Sequence, residues 1–175
     1  MEAFGDKYYM PYQFANDANW KSHYETTAPE IVRDTNGNVD AFVAGMGTTG
    51  TLMGCARYFR DHNLSTKVIG VEPTLNHRIQ GLKNMTESIV PAIYKPELLD
   101  GKIMCRDEDA FDTVRDLALV EGIFCGISSG AAFWGALQVA KDMPKGSTIV
   151  VLFPDRGDRY LSTEMYRSIC AICPP

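Results

Sequence analysis

Apolar and polar positions alternate along this chain in two periods that follow one another regularly. Residues 39–44 form a near-continuous apolar run of the kind buried on both faces of a sheet. Residues 67–72 read as a second strand stopped by Pro73, residues 102–105 as a third and residues 147–153 as a fourth. Helical spacing fills the intervals. In residues 51–61, Leu52, Cys55, Ala56 and Phe59 share one face, and in residues 107–120 the apolar positions are Phe111, Val114, Leu117 and Ala118. The second of these helices is expected to be capped by Asp107 and ended by Gly122. Residues 129–143 are dominated by small side chains, so that helix can approach a sheet or ligand closely. Residues 19–33 also read as helix, complicated by Pro29, and a last helix is expected near Ser162. Pro91 and Pro96 leave residues 74–102 to loops and short helices. The alternation predicts an α/β fold, a parallel sheet with helices on both faces. Four strands make a thin sheet for 175 residues.

Composition narrows the class. With 175 residues, 45% hydrophobic and 22% charged, the chain can bury one full core. A net charge of −5 and no Lys/Arg cluster argue against a nucleic-acid surface. The longest apolar run, residues 149–154, is too short to span a bilayer, and the first residues have no signal-peptide pattern, so a cytoplasmic location is expected. Five cysteines, without disulfide-framework spacing, are expected to be reduced. Cys170 and Cys173 form a C-x-x-C pair near the end of the sequence, with no second ligand pair nearby. His23, His62 and His77 have no metal-like spacing, and no metal is expected.

The densest chemistry lies at residues 45–51, Gly-Met-Gly-Thr-Thr-Gly-Thr, between a strand and a helix. Unpaired N–H groups and the helix dipole make such a junction an anion cradle. Gly45, Gly47 and Gly50 satisfy G-x-G-x-x-G, and Glu72 ends the next strand 22 positions after Gly50, placed for a ribose hydroxyl. That is a dinucleotide fingerprint. The hydroxyls of Thr48, Thr49 and Thr51 instead suit a terminal phosphate monoester, which presents more oxygens than a pyrophosphate lying on bare backbone.

Further motifs separate the two. Residues 124–132, Phe-Cys-Gly-Ile-Ser-Ser-Gly-Ala-Ala, turn into a helix, and residues 155–163, Asp-Arg-Gly-Asp-Arg-Tyr-Leu-Ser-Thr, follow the last strand. Together with the Gly-Thr-Thr-Gly-Thr loop, they closely resemble the cysteine synthase (O-acetylserine sulfhydrylase) family of fold-type II pyridoxal-phosphate enzymes, most of all its B-type branch. Residues 13–19, Gln-Phe-Ala-Asn-Asp-Ala-Asn, resemble the family's Gln-Phe-x-Asn-Pro-Ala-Asn segment, with Asp17 in place of the proline. Residues 77–81, His-Arg-Ile-Gln-Gly, resemble its substrate-side loop.

The resemblance implies a tryptophan synthase β-like large domain with pyridoxal 5'-phosphate as cofactor. Gly47, Thr48, Thr49, Gly50 and Thr51 match the cofactor-phosphate loop, and Ser128 matches the serine that bonds the pyridine nitrogen. A hydroxyl there leaves the ring nitrogen largely unprotonated, favouring elimination and replacement at the β-carbon over transamination. Ser129 reads as a helix cap. Gln13 matches a substrate-carboxylate contact, Gly81 the loop at the amino-acid end of the substrate, and Asp155 the polar wall of the B-type site. Asp155 and Asp158 are equally placed to pair with Arg156 and Arg159. Lys83 and Asn84 stand near positions where the B-type branch often carries arginines.

One departure stands out. The family's Schiff-base lysine and its Thr-Ser-Gly-Asn substrate loop lie upstream of the Gln-Phe-x-Asn segment. None of the eight lysines (Lys7, Lys21, Lys67, Lys83, Lys95, Lys102, Lys141, Lys145) matches that lysine motif. Residues 1–175 therefore resemble the C-terminal half to three-fifths of a cysteine synthase, and no catalytic residue is assigned within them. The implied activity is synthesis of cysteine from O-acetylserine, or a related activated serine, and a sulfur nucleophile, by an enzyme that is commonly a homodimer. This chain is expected to be inactive alone. The alternatives are a non-catalytic truncated paralogue that binds pyridoxal phosphate or a partner, and, more remotely, an NAD-binding Rossmann dehydrogenase.

Overall fold

The structure is a computed structural model that describes residues 7–166, so the expectations for Cys170 and Cys173 lie outside it. Strands β1 (Ala41–Gly45), β2 (Lys67–Pro73), β3 (Gly101–Cys105) and β4 (Ile149–Val151) form a parallel sheet in the order β3-β2-β1-β4. Helix α3 (Gly50–Asp61) follows β1, and α4 (Asp107–Val120) and α5 (Ile127–Lys141) connect β3 to β4. An N-terminal helical stretch, α1 (Ala18–Ser22) to α2 (Ala28–Asp34), packs on α3. Among the described residues no helix is long and apolar enough to cross a membrane.

The strand period of two sorts the core into two clusters, one on each face. Phe42, Ala44 and Val68 pack with Leu52, Met53 and Phe59 of α3 and with Ala28 of α2. Val43, Ile69 and Val71 pack with Val114 and Leu117 of α4 and with Ile127 and Ala131 of α5. The small residues of α5 allow this closeness. A Cβ on Gly130 would lie 2.5 Å from the Ala110 carbonyl, so α4 and α5 touch backbone to side chain.

The chain order also locates the crevice. From β1 the chain moves outward to β2 and β3 through α3 on one face, then returns across the other face to β4. The order reverses between β1 and β4, and a crevice outside the strands' C-terminal ends opens at such a switch point. The loops leaving β1 (from Met46) and β4 (from Leu152) are side by side there.

Several expectations are corrected. The helix over residues 19–33 is interrupted by a π-helical turn, His23–Thr27, whose i→i+5 bond runs from the Ala28 N–H to the His23 carbonyl. Pro29, with no N–H to give to the previous turn, sits at the start of α2, where its missing donor leaves little unpaired. Asp107 does not cap α4. Arg106 holds the cap position, and the Asp107 carboxylate accepts the Arg78 N–H at 2.9 and 3.0 Å. Gly122 does end the helix, at φ +68°. β4 is shorter than residues 147–153, because it pairs only with β1 and stands at the sheet edge. The final helix resolves into two 3-10 turns, Gly157–Tyr160 and Glu164–Tyr166.

Candidate functional site

The loop leaving β1 is held from both sides. The Met46 N–H donates to the Val71 carbonyl at 2.8 Å, and the Met46 carbonyl accepts the Lys83 N–H at 2.7 Å. The second bond lays residues 80–82 across the loop. A Cβ on Gly47 would lie 2.7 Å from the Gly81 carbonyl oxygen, so glycine is required where the two loops touch. On the other side, Asn19 Nδ2 donates to Thr48 Oγ1 at 3.0 Å and to the Gln13 carbonyl at 2.8 Å. This tie brings the Gln13 segment to the loop.

Thr49 turns the chain into α3 from the left-handed region, at φ +67°, without a side-chain cap. Its hydroxyl is buried and has no hydrogen-bond partner among the described residues. A buried hydroxyl left unpaired costs about 1–3 kcal/mol, and left-handed backbone at a β-branched residue adds to that cost. Thr48 Oγ1 accepts from Asn19 and, at 3.4 Å, from the Gly50 N–H, so its own proton remains for another acceptor. Thr51 Oγ1 lies 3.2 Å from His23 Nε2.

The loop leaving β4 is built differently. Both carboxylate oxygens of Asp155 face the start of α5. Oδ2 accepts the Ser128 N–H at 3.1 Å and the Tyr160 hydroxyl at 2.8 Å, while Oδ1 accepts the Ser129 N–H at 3.0 Å and the Ser129 hydroxyl. Ser129 is therefore not the cap; it lies inside the first turn, Gly126 holds the cap position, and Asp155 supplies the anion. Burial, with the bond to Asp155, pushes the Tyr160 phenol up to about 12. Asp158, by contrast, pairs with Arg156 at 3.2 Å at the surface.

These loops enclose a cavity of about 380 Å³. Every residue singled out as a site residue lines it: Gly47, Thr48, Thr49, Gly50 and Thr51 with Gln13, Gly81, Ser128 and Asp155. The Ser128 hydroxyl lies 3.9 Å from where a Gly81 Cβ would stand, so a side chain at Gly81 would reach it. Sequence reasoning assigned no individual role to Gln80 and Tyr160 and read Arg159 only as an ion-pair partner for Asp155 or Asp158; all three also line the cavity. Tyr160 was legible only as part of the 155–163 motif. Asn19, which ties Gln13 to Thr48, lay within the quoted 13–19 segment. Arg159 belongs to the 155–163 motif, where its charge pointed to a surface ion pair rather than to the cavity.

A second cavity, about 530 Å³, adjoins the first and shares Gln80, Gly81 and Leu82. His77, Arg78 and Lys83 line it, with the Arg78 guanidinium 3.0 Å from Asp107 and over the Phe111 ring. Asn84 turns out to be buried scaffolding, donating to the Pro73 carbonyl at 2.8 Å. None of the lysines lines the smaller cavity. Among the described residues no three His, Cys, Asp or Glu side chains cluster as a metal site. Burial pushes the thiols of Cys55 and Cys105 up to about 12 and that of Cys125 up to about 11, so none is a ready nucleophile.

The donor set distinguishes the two phosphate readings. Glu72 is buried; one oxygen accepts the Met85 N–H and the other the Lys102 ammonium at 2.8 Å. It is a strut between β2, β3 and the loop after them, with neither oxygen aimed at a ribose. The cradle at α3 fits a phosphate monoester instead. It offers an uncapped helix start, a buried Thr49 hydroxyl with no partner among the described residues and a spare proton on Thr48, and Ser128 lines the same cavity.

Comparison with known proteins agrees. A family model described as pyridoxal-phosphate dependent enzyme matches residues 1–155. The cysteine synthase of Aquifex aeolicus is 41% identical over 170 residues, 95% of this chain and 52% of that protein. The cysteine synthase B of Salmonella typhimurium is 43% identical over 154 residues, 88% of this chain and 50% of that protein. The crystal structure of O-ureido-L-serine synthase superposes with a TM-score of 0.87 at 37% identity, over 96% of this chain and 55% of that one. That of the Entamoeba histolytica cysteine synthase gives 0.87 at 37% identity, over 94% and 51%. The chain thus spans about half the length of the curated relatives it matches. It belongs to the pyridoxal-phosphate-dependent enzyme family, with the fold-type II architecture of the cysteine synthases and pyridoxal phosphate as the family's cofactor.

Proposed function

We propose that this chain forms the phosphate and ring-nitrogen side of a cysteine synthase site. The reaction is replacement of the leaving group on the β-carbon of O-acetylserine, or a related activated serine, by a sulfur nucleophile to give cysteine. The observation that carries this reading is the unpartnered Thr49 hydroxyl in a helix-start cradle on the cavity that Ser128 also lines. Pyridoxal phosphate, when bound, supplies the electron sink for loss of the α-proton and of the β-substituent.

The chain's own residues do the holding. Gly47–Thr51 bind the phosphate through N–H groups and hydroxyls, and Ser128 donates to the ring nitrogen without charging it. Gln13, tied to the cradle through Asn19, contacts the substrate carboxylate, and Gly81 lets the loop approach the amino-acid end closely. Asp155 contributes to the polar wall and, by capping α5, fixes where Ser128 stands. No lysine lines the cavity, so the amine that anchors the cofactor comes from a polypeptide segment other than residues 7–166. The reading carries with it small-molecule substrates and homodimeric assembly.

Titration of the chain with pyridoxal phosphate, followed by borohydride reduction, tests both parts. Saturable phosphate-dependent binding without a stoichiometric lysine adduct is expected. A specific adduct on one lysine would overturn the missing amine. Binding of NADH without binding of pyridoxal phosphate would overturn the function.

A further inference from the structure

Thr51 opens the second position of α3, inside the cradle, yet its hydroxyl oxygen is 3.2 Å from Nε2 of His23. Across the same imidazole, Nδ1 is 2.9 Å from the hydroxyl oxygen of Thr27. His23 and Thr27 are the first and last residues of the π-helical turn. A Cβ on Gly54 would lie 2.7 Å from the His23 Cβ, so α3 is pressed against that turn and the ring is fixed between two hydroxyls. Single π turns of this kind occur often at functional sites.

Burial lowers the His23 pKa below its ordinary value, so the ring is neutral at pH 7, with one nitrogen donating and the other accepting. A proton on Nδ1 donates to Thr27 and leaves Nε2 bare. Thr51 then turns its only proton toward the ring and shows lone pairs to the cavity. A proton on Nε2 reverses every bond: Thr27 donates to Nδ1, Nε2–H donates to Thr51, and the Thr51 proton is released toward the cavity. Either arrangement satisfies both ring nitrogens. A phosphate, whose oxygens are acceptors, tolerates only the second.

The geometry points to a donor relay, Thr27 to His23 to Thr51 to phosphate, in which His23 is a positioning residue and phosphate binding selects its Nε2–H tautomer. This inference rests on the proposed reading of the cradle as the cofactor-phosphate site.

Nitrogen-15 spectra of the histidine-labelled chain, with and without pyridoxal phosphate, read the tautomer directly and require no variant. The Nε2–H pattern at His23 is expected in the loaded chain. Two variants separate positioning from structure. His23→Gln keeps an N–H donor near the Nε2 position, whereas His23→Asn keeps only the Thr27 side. His23→Gln is expected to bind pyridoxal phosphate within about threefold of the unaltered chain. His23→Asn is expected to lose about 10- to 100-fold, the range of one hydrogen bond to a charged group, at the same unliganded Tm as His23→Gln. Binding by the unaltered chain with His23 as the Nδ1–H tautomer, or equal affinities for the two variants, overturns the relay alone. Failure of the unaltered chain to bind pyridoxal phosphate overturns the proposed function and the relay with it.

Discussion

Two helices begin at the mouth of the same cavity, and their first turns have been treated in opposite ways. At α5 the N–H groups of Ser128 and Ser129, which have no intrahelical acceptor, already hold an anion, the Asp155 carboxylate, which also accepts two hydroxyls. At α3 there is no side-chain cap, the entering residue is in the left-handed region, and its hydroxyl is buried with no partner among the described residues. Both helix starts attract negative charge for the same dipolar reason. The one that carries its own counter-charge has no need of an outside anion, and the one left unsatisfied is the proposed phosphate site. A helix start becomes informative about ligands only when its partners have been counted.

The largest effect should come from removing the internal anion. Asp155→Ala strips four hydrogen bonds from a half-buried junction, leaves the Tyr160 hydroxyl without its acceptor and leaves the Ser129 hydroxyl only the backbone carbonyl of residue 155 at 3.3 Å. Denaturant unfolding should show a loss of about 3 kcal/mol or more. The same variant should also make α5 resemble α3, so added sulfate, which the α3 cradle attracts in both chains, should stabilise the variant more than the unaltered chain. A loss below about 0.5 kcal/mol would mean that Asp155 does not hold α5.

Next in size is the contact between cavity walls. Gly47→Ala places a methyl group 2.7 Å from the Gly81 carbonyl oxygen, which belongs to backbone and has no rotamer to change. The loops must separate, at about 1–2 kcal/mol, and pyridoxal phosphate affinity should fall at least tenfold by equilibrium titration. Thr49→Gly tests the strained side of the comparison more sharply, because two measurements should move in opposite directions. Glycine relieves the left-handed backbone and removes the orphaned hydroxyl, so the unliganded chain should gain about 1 kcal/mol. Affinity for pyridoxal phosphate should fall about tenfold for want of that hydroxyl. A variant that is both less stable and equally tight in binding would show that Thr49 is ordinary scaffold.

What was legible in the sequence follows the range of the interactions involved. The parallel sheet could be read because apolar runs and helical spacing are local, and the glycine–threonine loop because its residues are adjacent in the chain. The partners that decide the roles of Glu72 and Asp155 are not adjacent. Lys102 is 30 residues from Glu72, and Ser129 is 26 from Asp155. Glu72 therefore matched a dinucleotide pattern by position while its oxygens were committed to a strut. Ser129 likewise looked like a cap until Asp155 was seen to be one. The π-helical turn was illegible for a related reason: its register answers to the close passage of Gly54 on α3, which no local spacing encodes.

The smallest effect concerns Tyr160, and it isolates one bond on the satisfied side. Its phenol is pushed from the ordinary value near 10 up to about 12, first by burial and then by the bond to and charge of Asp155. In the unfolded chain the phenol ionises near pH 10, whereas the folded chain keeps its proton until about pH 12. Between those values the folded state binds more protons, so stability from this group is complete below pH 10 and is lost as pH rises through 12. Tyr160→Phe deletes the titration and one donor to Asp155. Stability at pH 7 should fall by about 1 kcal/mol, and the decline between pH 10 and 12 should be shallower than in the unaltered chain. Equal slopes would mean that the phenol does not titrate against Asp155.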